Sequence, residues 1–386
     1  MNAGMILPSA GTADEAGEIR ALLRQSLETV LARHCTFGQR RAARDSDAGH
    51  SETAWAAYAE LGLTALTLPE EHGGLPGTLA DLAMAAEAMG GALALEPFRP
   101  HMIAARLLAA AGTPAQQAAW LPRLASGAAK AAMAHEETGW RLGAGITAEA
   151  VPEGDGWRLR GHKAVVAGGD AADLFIVSAR TADELALFLV EAGAVARRGY
   201  RCFDWTGAAD LELDLLLRHD AKLAGGGDAV ARALDEATAL AAADAIGAIR
   251  AANRLTFDYA RTRRQFGVPI GSFQVLQHRM ADMAIAEEMA APIAAAAVAA
   301  CDAAGPVRRA RAVSAAKVRV GESARYVGQQ SVQLHGGMGL TEEYPISHYF
   351  ARLGLFERAH GCHEDHLERF AALAETGRND DDDDAR

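Results

Sequence analysis

The chain of 386 residues is half hydrophobic, only 6% aromatic, and carries a formal net charge of −12 at pH 7. That length implies two or three domains with ample core, and an alanine-dominated, aromatic-poor composition favours helices that pack closely. Five of the negative charges are the aspartates at 380–384, in a stretch (377–386) that reads as an acidic, disordered tail.

The remainder is mildly acidic with no basic stripe, which argues against a nucleic-acid partner. Cys35, Cys202, Cys301 and Cys362 show no CxxC or CxxH spacing. They read as reduced thiols of a cytoplasmic protein, not as a disulfide framework or a metal site. Residues 1–13 lack the basic and apolar regions of a signal peptide. No stretch is read as reaching the roughly 18 apolar residues of a membrane span, so a soluble protein without a membrane partner is expected.

From about Glu15 to Arg123 apolar residues recur at helical spacing, as in Leu22, Leu23, Leu27, Val30 and Leu31. Pro69-Glu70-Glu71-His72-Gly73-Gly74 punctuates this region as a loop, and Thr78 caps a helix that ends at Gly90-Gly91. Near Ala131 the period changes to 2. Asp155-Gly156 signals a hairpin, Leu174 to Val177 and Leu185 to Val190 are short apolar strands, and 211–215 alternates. These strands predict a small β-barrel over 131–225, with Gly225-Gly226-Gly227 as a hinge. Four helices then follow, at roughly 228–263, 272–303, 306–334 and 346–375, with Ser272 as a cap and Gly305-Pro306 as a divider. The expected fold is mainly α with a central β domain: an N-terminal helical domain (1–130), the small barrel (131–225) and a C-terminal four-helix bundle (226–376).

Two helix-end motifs carry the chemistry. Arg261-Thr262-Arg263-Arg264-Gln265-Phe266-Gly267 closes the first bundle helix, and Gln333-Leu334-His335-Gly336-Gly337-Met338-Gly339, leading into Tyr344-Pro345, closes the third. Clustered glycines let backbone approach a ligand closely, and a guanidinium donates in a fixed fork to an anion. Each motif taken alone is also compatible with a plain helix connector, the arginines favouring a helix C-terminus.

Spaced as they are, with a β insert upstream, the two motifs resemble the acyl-CoA dehydrogenase flavoproteins over essentially the whole chain apart from the tail. The resemblance implies FAD as cofactor, an acyl-CoA substrate oxidised at its Cα–Cβ bond, and an electron-transfer flavoprotein-type acceptor. It also implies that Arg263, Phe266, Gln333, Gly336 and Gly337 contact the FAD of a neighbouring subunit, in a homo-oligomer (a tetramer) or in a heteromer with a larger homologous chain. At the flavin end the family's Thr-Glu-Pro is replaced by His135-Glu136-Glu137, and its Trp-Ile-Thr by Val165-Val166-Ala167. His135 and the backbone of Gly168 are the candidates to face the ring.

The expected catalytic glutamate before glycine is replaced by His360-Gly361. A second subgroup places its glutamate near Ala237, beside Asp235 and Glu236, and Asp244 lies two turns further on. His360, Asp244 and Glu236 are therefore the candidate bases. The C-terminal run from His360 to Phe370 is closest to a small-subunit branch typified by pimeloyl-CoA dehydrogenase. His363 and His366, with Glu364 and Asp365 between them, permit a metal cluster by spacing but lack a further ligand pair.

Overall fold

The computed structural model describes residues 13–139, 141–142 and 144–383; the N-terminal segment read for a leader falls almost wholly outside them. Six helices open the chain: α1 (Ala13–His34), α2 (Phe37–Arg44), α3 (Glu52–Glu60), α4 (Leu79–Gly91), α5 (Phe98–Ala111) and α6 (Pro114–Ala125). Thr78 does cap α4, in a capping box with Asp81. Eight strands follow: β1 (Ala131–Ala134), β2 (Glu149–Glu153), β3 (Gly156–Ala167), β4 (Leu174–Arg180), β5 (Leu185–Glu191), β6 (Ala196–Arg201), β7 (Gly207–Arg218) and β8 (Lys222–Gly226). A long helix α7 (Gly227–Thr262), a short hairpin of β9 (Arg264–Gln265) and β10 (Val268–Pro269), and helices α8 (Gln274–Ala303), α9 (Pro306–His335), α10 (Pro345–Arg358) and α11 (His363–Asp383) complete it.

The strands form one sheet in the order β6-β7-β3-β2-β4-β5-β8, with β1 beside β4. Among the described residues β6 and β8 do not pair, so the expected barrel is an open sheet wrapped about its own core. β4 explains why its sequence reads as a continuous apolar run. Leu174 and Ile176 join the core shared with the helices, while Phe175 and Val177 join the core inside the sheet. A strand buried on both faces needs no polar alternation. Of the three glycines expected as a hinge, Gly225 and Gly226 end β8, paired with β5 through Gly226 and Ala186, and Gly227 opens α7.

The expected fourth bundle helix is two helices, α10 and α11, divided at Ala359-His360-Gly361-Cys362. His360 and Gly361 have φ of 59° and 96°, which no helix accommodates. Ser272 hydrogen-bonds the Pro269 carbonyl, and the residue preceding α8 is Phe273. The expected disordered tail is helical as far as Asp383, the rest lying outside the described residues. Helix α8 is long and apolar enough to cross a membrane, against the sequence expectation. In the fold Met283, Ala286, Ala290, Ala294 and Ala297 are buried in the bundle, while Ile285 and Met289 face outward.

What brings the N-terminal domain onto the bundle is the crossing of α4 and α7, made at glycines. A Cβ on Gly90 would sit 2.0 Å from the Asp244 carbonyl oxygen, and one on Gly247 would sit 1.8 Å from that of Glu87. The helices meet backbone to backbone, and neither position has room for a methyl group. Gly247→Ala is expected to lower stability by about 1–3 kcal/mol or more, the scale of overpacking in a closed core. A denaturant midpoint unchanged from the parent chain would show that the crossing tolerates separation.

Candidate active site

A cavity of about 330 Å³ opens where α5, the end of β1, the β3–β4 connection, α7 and the α10–α11 link converge. Helix α7 contributes Leu234, Ala237, Ala241 and Asp244, spaced i, i+3, i+7 and i+10 on one face. β3 contributes through a bulge: its register against β7 slips between Lys163 and Val166, and Val165 adopts a φ of 53°. Bulges re-aim a strand, and this one delivers Val165 to Gly168 to the cavity wall. Gly168 is confined there, since a Cβ would lie 3.0 Å from Pro97 and from Pro100 and its φ is 68°.

Asp244 lies at the floor, beside the glycine crossing. Arg352 Nη1 approaches its carboxylate at 3.3 Å and Arg99 Nε at 3.3 Å. Arg352 also donates to the Ala94 carbonyl at 2.6 Å and lies 3.0 Å from Asp204, which follows β6. Asp244 is thus a doubly paired structural anion and not a free base. Glu236 faces a different pocket. Arg106 grips it through two 2.9 Å bonds and Arg232 adds a third. Burial alone would raise its carboxyl, yet the two guanidinium groups hold it below the usual range. Glu236 is therefore no cavity base, and Asp235 is likewise paired, with Arg309 and Arg369.

His360 reaches the cavity from the α10–α11 link, with its Nδ1 3.7 Å from Glu136. Burial, with Lys317 and Arg99 nearby, pushes its imidazole down to about 3, so the ring is neutral at pH 7 and a weak base. Burial raises the Glu136 carboxyl to about 7, against the pull of Lys317 and the backbone N–H of His360. Lys317, lowered by burial to about 7, donates to the carbonyls of Phe356 and, at 2.6 Å, Ala359 at the end of α10. His366 bonds the His360 carbonyl at 2.9 Å and the Ser314 hydroxyl at 3.2 Å. Asp365 accepts from the Cys362 N–H and from Arg141, and no group of three or more metal-ligating side chains occurs among the described residues.

His135 also lines the cavity, its Nδ1 2.8 Å from the Ser178 hydroxyl, and burial followed by the nearby Lys163 lowers it to about 4. Sequence reading did not single out Arg99, Arg352 and Glu136. A buried arginine at a helix position that should be apolar was the available signal for Arg352.

The two helix-end motifs lie side by side at the far end of the bundle. Tyr259 of α7 stacks on His335 of α9 with ring centroids 4.4 Å apart. Arg263, Gln333, Gly336 and Gly337 are exposed, and Phe266 is 93% exposed with a φ of 52°. A Cβ on either glycine would meet nothing within 4 Å, so the loop is an open cradle. Arg263 makes no side-chain bond among the described residues. An unpaired guanidinium beside bare glycine backbone fits an anionic dinucleotide. Arg263 caps the C-terminal end of α7, 19 residues beyond Asp244, roughly 28 Å at 1.5 Å per residue, so these loops do not belong to the cavity of their own chain.

Four imidazoles, His101 (about 3), His135 (about 4), His360 (about 3) and His366 (about 4), sit below the ordinary 6.5. Between those values the unfolded chain binds more protons than the folded one, so stability present above pH 6.5 is lost as pH falls. Glu136 works in the opposite sense between 4.5 and about 7, one carboxyl against four rings. The unfolding free energy is expected to fall between pH 6.5 and 4.5, by about 1.4 kcal/mol per pH unit for each uncompensated histidine, read as a falling denaturant midpoint. A midpoint that holds or rises would contradict this.

Residues 14–128 match the family model "Acyl-CoA dehydrogenase, N-terminal domain" and 224–374 match "Acyl-CoA dehydrogenase, C-terminal domain". Acyl-CoA dehydrogenase IpdE2 of Mycobacterium tuberculosis (strain ATCC 25618 / H37Rv) is 33% identical over 346 residues, covering 89% of this chain and 92% of the relative. Among solved structures, the Tcur3481-Tcur3483 steroid ACAD superposes with a TM-score of 0.88 at 32% identity, covering 94% of this chain and 99% of that one. The ChsE4-ChsE5 complex from Mycobacterium tuberculosis does so at 0.85 and 27%, covering 95% and 98%. The family is one of FAD-binding proteins, and the chain, with its helical, sheet and helical domains, belongs to the acyl-CoA dehydrogenase family.

Proposed function

We propose that this chain is a subunit of an FAD-dependent acyl-CoA dehydrogenase that desaturates the Cα–Cβ bond of an acyl-CoA thioester. Bound FAD would supply hydride acceptance. The chain's own residues line the pocket for the acyl group and hold the groups that would move the α proton. The observation that carries the reading is the adjacency of the Arg263 and Gly336-Gly337 loops at an exposed bundle end, far along α7 from the cavity. Arg263 would grip the pyrophosphate and Gln333, Gly336 and Gly337 the adenine end of a neighbouring chain's FAD, with Phe266 packed alongside. At the cavity, the backbone of Gly168 and the His135 region would border the ring. Exposed Leu340, Met338 and Val275, at 74%, 43% and 61%, support an oligomer at this end of the bundle.

A second reading follows from the cavity floor. Arg352 and Arg99 neutralise Asp244, His360 stands in the register of the usual glutamate, and no tryptophan or hydroxyl occupies 165–167. These features support a small-subunit-like chain that completes the FAD site of a larger homologous partner, as suggested by the resemblance to the pimeloyl-CoA dehydrogenase branch. The likeness to the ChsE4-ChsE5 complex supports this too. On either reading the electrons would pass to an electron-transfer flavoprotein-type acceptor in the cytoplasm.

A purified protein that is yellow and bleaches on addition of a matching acyl-CoA is the expected result for the catalytic reading. A colourless chain that acquires flavin only on co-expression with a larger homologue favours the second. In either assembly Arg263→Ala is expected to weaken FAD binding by about 1.5–3 kcal/mol, the worth of a charge-assisted bond, read as lower flavin content. Undiminished flavin occupancy in that variant would remove the basis of the proposal.

A further inference from the structure

The desaturation reading leaves its base unassigned, and the cavity itself narrows the choice. Four carboxylates line it: Glu96, Glu136, Asp170 and Asp244. Glu96 accepts from the Ser51 N–H at 3.0 Å and from the Tyr58 hydroxyl at 3.1 Å. Asp170 is ion-paired with Arg201, and Asp244 with Arg99 and Arg352. Among the described residues, Glu136 alone of the four has neither a guanidinium, an ammonium nor a hydroxyl on its carboxylate. It meets the backbone N–H of His360 and the imidazole 3.7 Å away.

We propose that Glu136 is the catalytic base of this chain, taking the α proton from an acyl-CoA thioester held in the cavity. The assignment rests on the acyl-CoA dehydrogenase reading above. Glu136 lies two residues beyond the end of β1, and its backbone is fixed on both sides. The Ala164 N–H, in the β3 bulge, donates to the Glu136 carbonyl at 2.9 Å. Lys163 Nζ donates to the His135 carbonyl at 3.0 Å, and the His135 ring is held against Ser178. The left-handed link at His360 and Gly361 brings the His360 N–H against the carboxyl from the other side. The side chain remains 27% accessible, on the cavity side. A fixed, reachable carboxylate without a permanent counter-charge is what proton abstraction requires. In the step, the Cα–H bond breaks and an O–H bond forms on Glu136. The released electron pair enters the thioester enolate, and return of a solvent deuteron to Cα completes an exchange that needs no oxidant.

The test uses the flavin-loaded protein, with its partner chain if it requires one, and a short-, medium- and long-chain panel of 3-thia-acyl-CoAs. Sulfur at C3 blocks hydride loss, so NMR in D₂O reads α-proton exchange alone. Wild-type protein is expected to exchange the α protons of at least one analogue. Glu136→Gln should slow that exchange by about 100-fold or more, the lower bound for a positioned base, with flavin content and melting temperature retained. Glu136→Asp should keep a measurable part of the rate. A folded Glu136→Gln protein that exchanges at the wild-type rate overturns the assignment while leaving the dehydrogenase reading intact. Wild-type protein that exchanges none of the panel overturns both. If Glu136→Gln does not fold, labelling of wild-type protein with 3-alkynoyl-CoA decides. Removal of the α proton makes that probe an electrophilic allene, so an adduct mapped to Glu136 supports the role and one on any other residue refutes it.

Discussion

The structure depends on a buried charge cluster at the point where its three domains meet. Asp244 of α7 receives Arg352 from α10 and Arg99 from α5, and Arg352 continues to Asp204 beside the sheet and to the Ala94 carbonyl after α4. Desolvating these ions is costly. Such a cluster persists only where every member is matched, and deleting one partner strands a charge at several kcal/mol. The glycine crossing of α4 and α7 places Asp244 within reach of all these elements. Geometry and charge are therefore coupled. The helices must touch for the ions to pair, and the paired ions fix how the sheet and the α10–α11 link face the cavity.

That constraint decides which acids remain for chemistry. Asp235 and Glu236 tie α7 to neighbouring helices through Arg309, Arg369 and Arg106, with Arg232 of α7 itself adding a fourth pair, and Asp244 forms the hub. Each could be read as a catalytic candidate because an acid in an alanine-rich helix is unusual, and each has a structural reason for being there. Arginines neutralise them in place, lowering the carboxyl where the shift is resolved, as at Glu236. A carboxylate meant to exchange protons near neutrality needs the reverse setting, partly desolvated but unmatched. Glu136 has that setting, because nearby Lys317 directs its ammonium to helix-end carbonyls instead.

The helical and strand periods, the two bundle-end motifs and the order of domains were legible in the sequence because they depend on local patterning. The break at His360-Gly361 was not. A single glycine after a continuous apolar pattern does not distinguish a kinked helix from two helices, and the positive φ at His360 is imposed by packing. The eighth strand was missed for a related reason: Lys222 to Gly226 has one core residue, Leu223, and owes its conformation to β5. The cavity charges were hidden because partners such as Asp244 and Arg352 are 108 residues apart. Only the fold reveals which acids are matched.

Helix α7 joins the cavity to the loop proposed as a dinucleotide clasp. Its 36 residues run unbroken from the sheet, past the cavity face, to the Arg263 loop, so one rigid element sets the distance between the pocket and the clasp. A rigid separation of this kind cannot be closed by movement within the chain. In the proposed assembly the clasp reaches its dinucleotide only across an interface, and a two-fold arrangement makes that exchange reciprocal between like chains. With an unlike partner the same geometry permits division of labour, one chain contributing a clasp and the other a base, without any change in the position of α7. Whether the cavity of this chain is itself productive then turns on Glu136, two residues beyond β1, since every acid on α7 near the pocket is committed to holding the fold together.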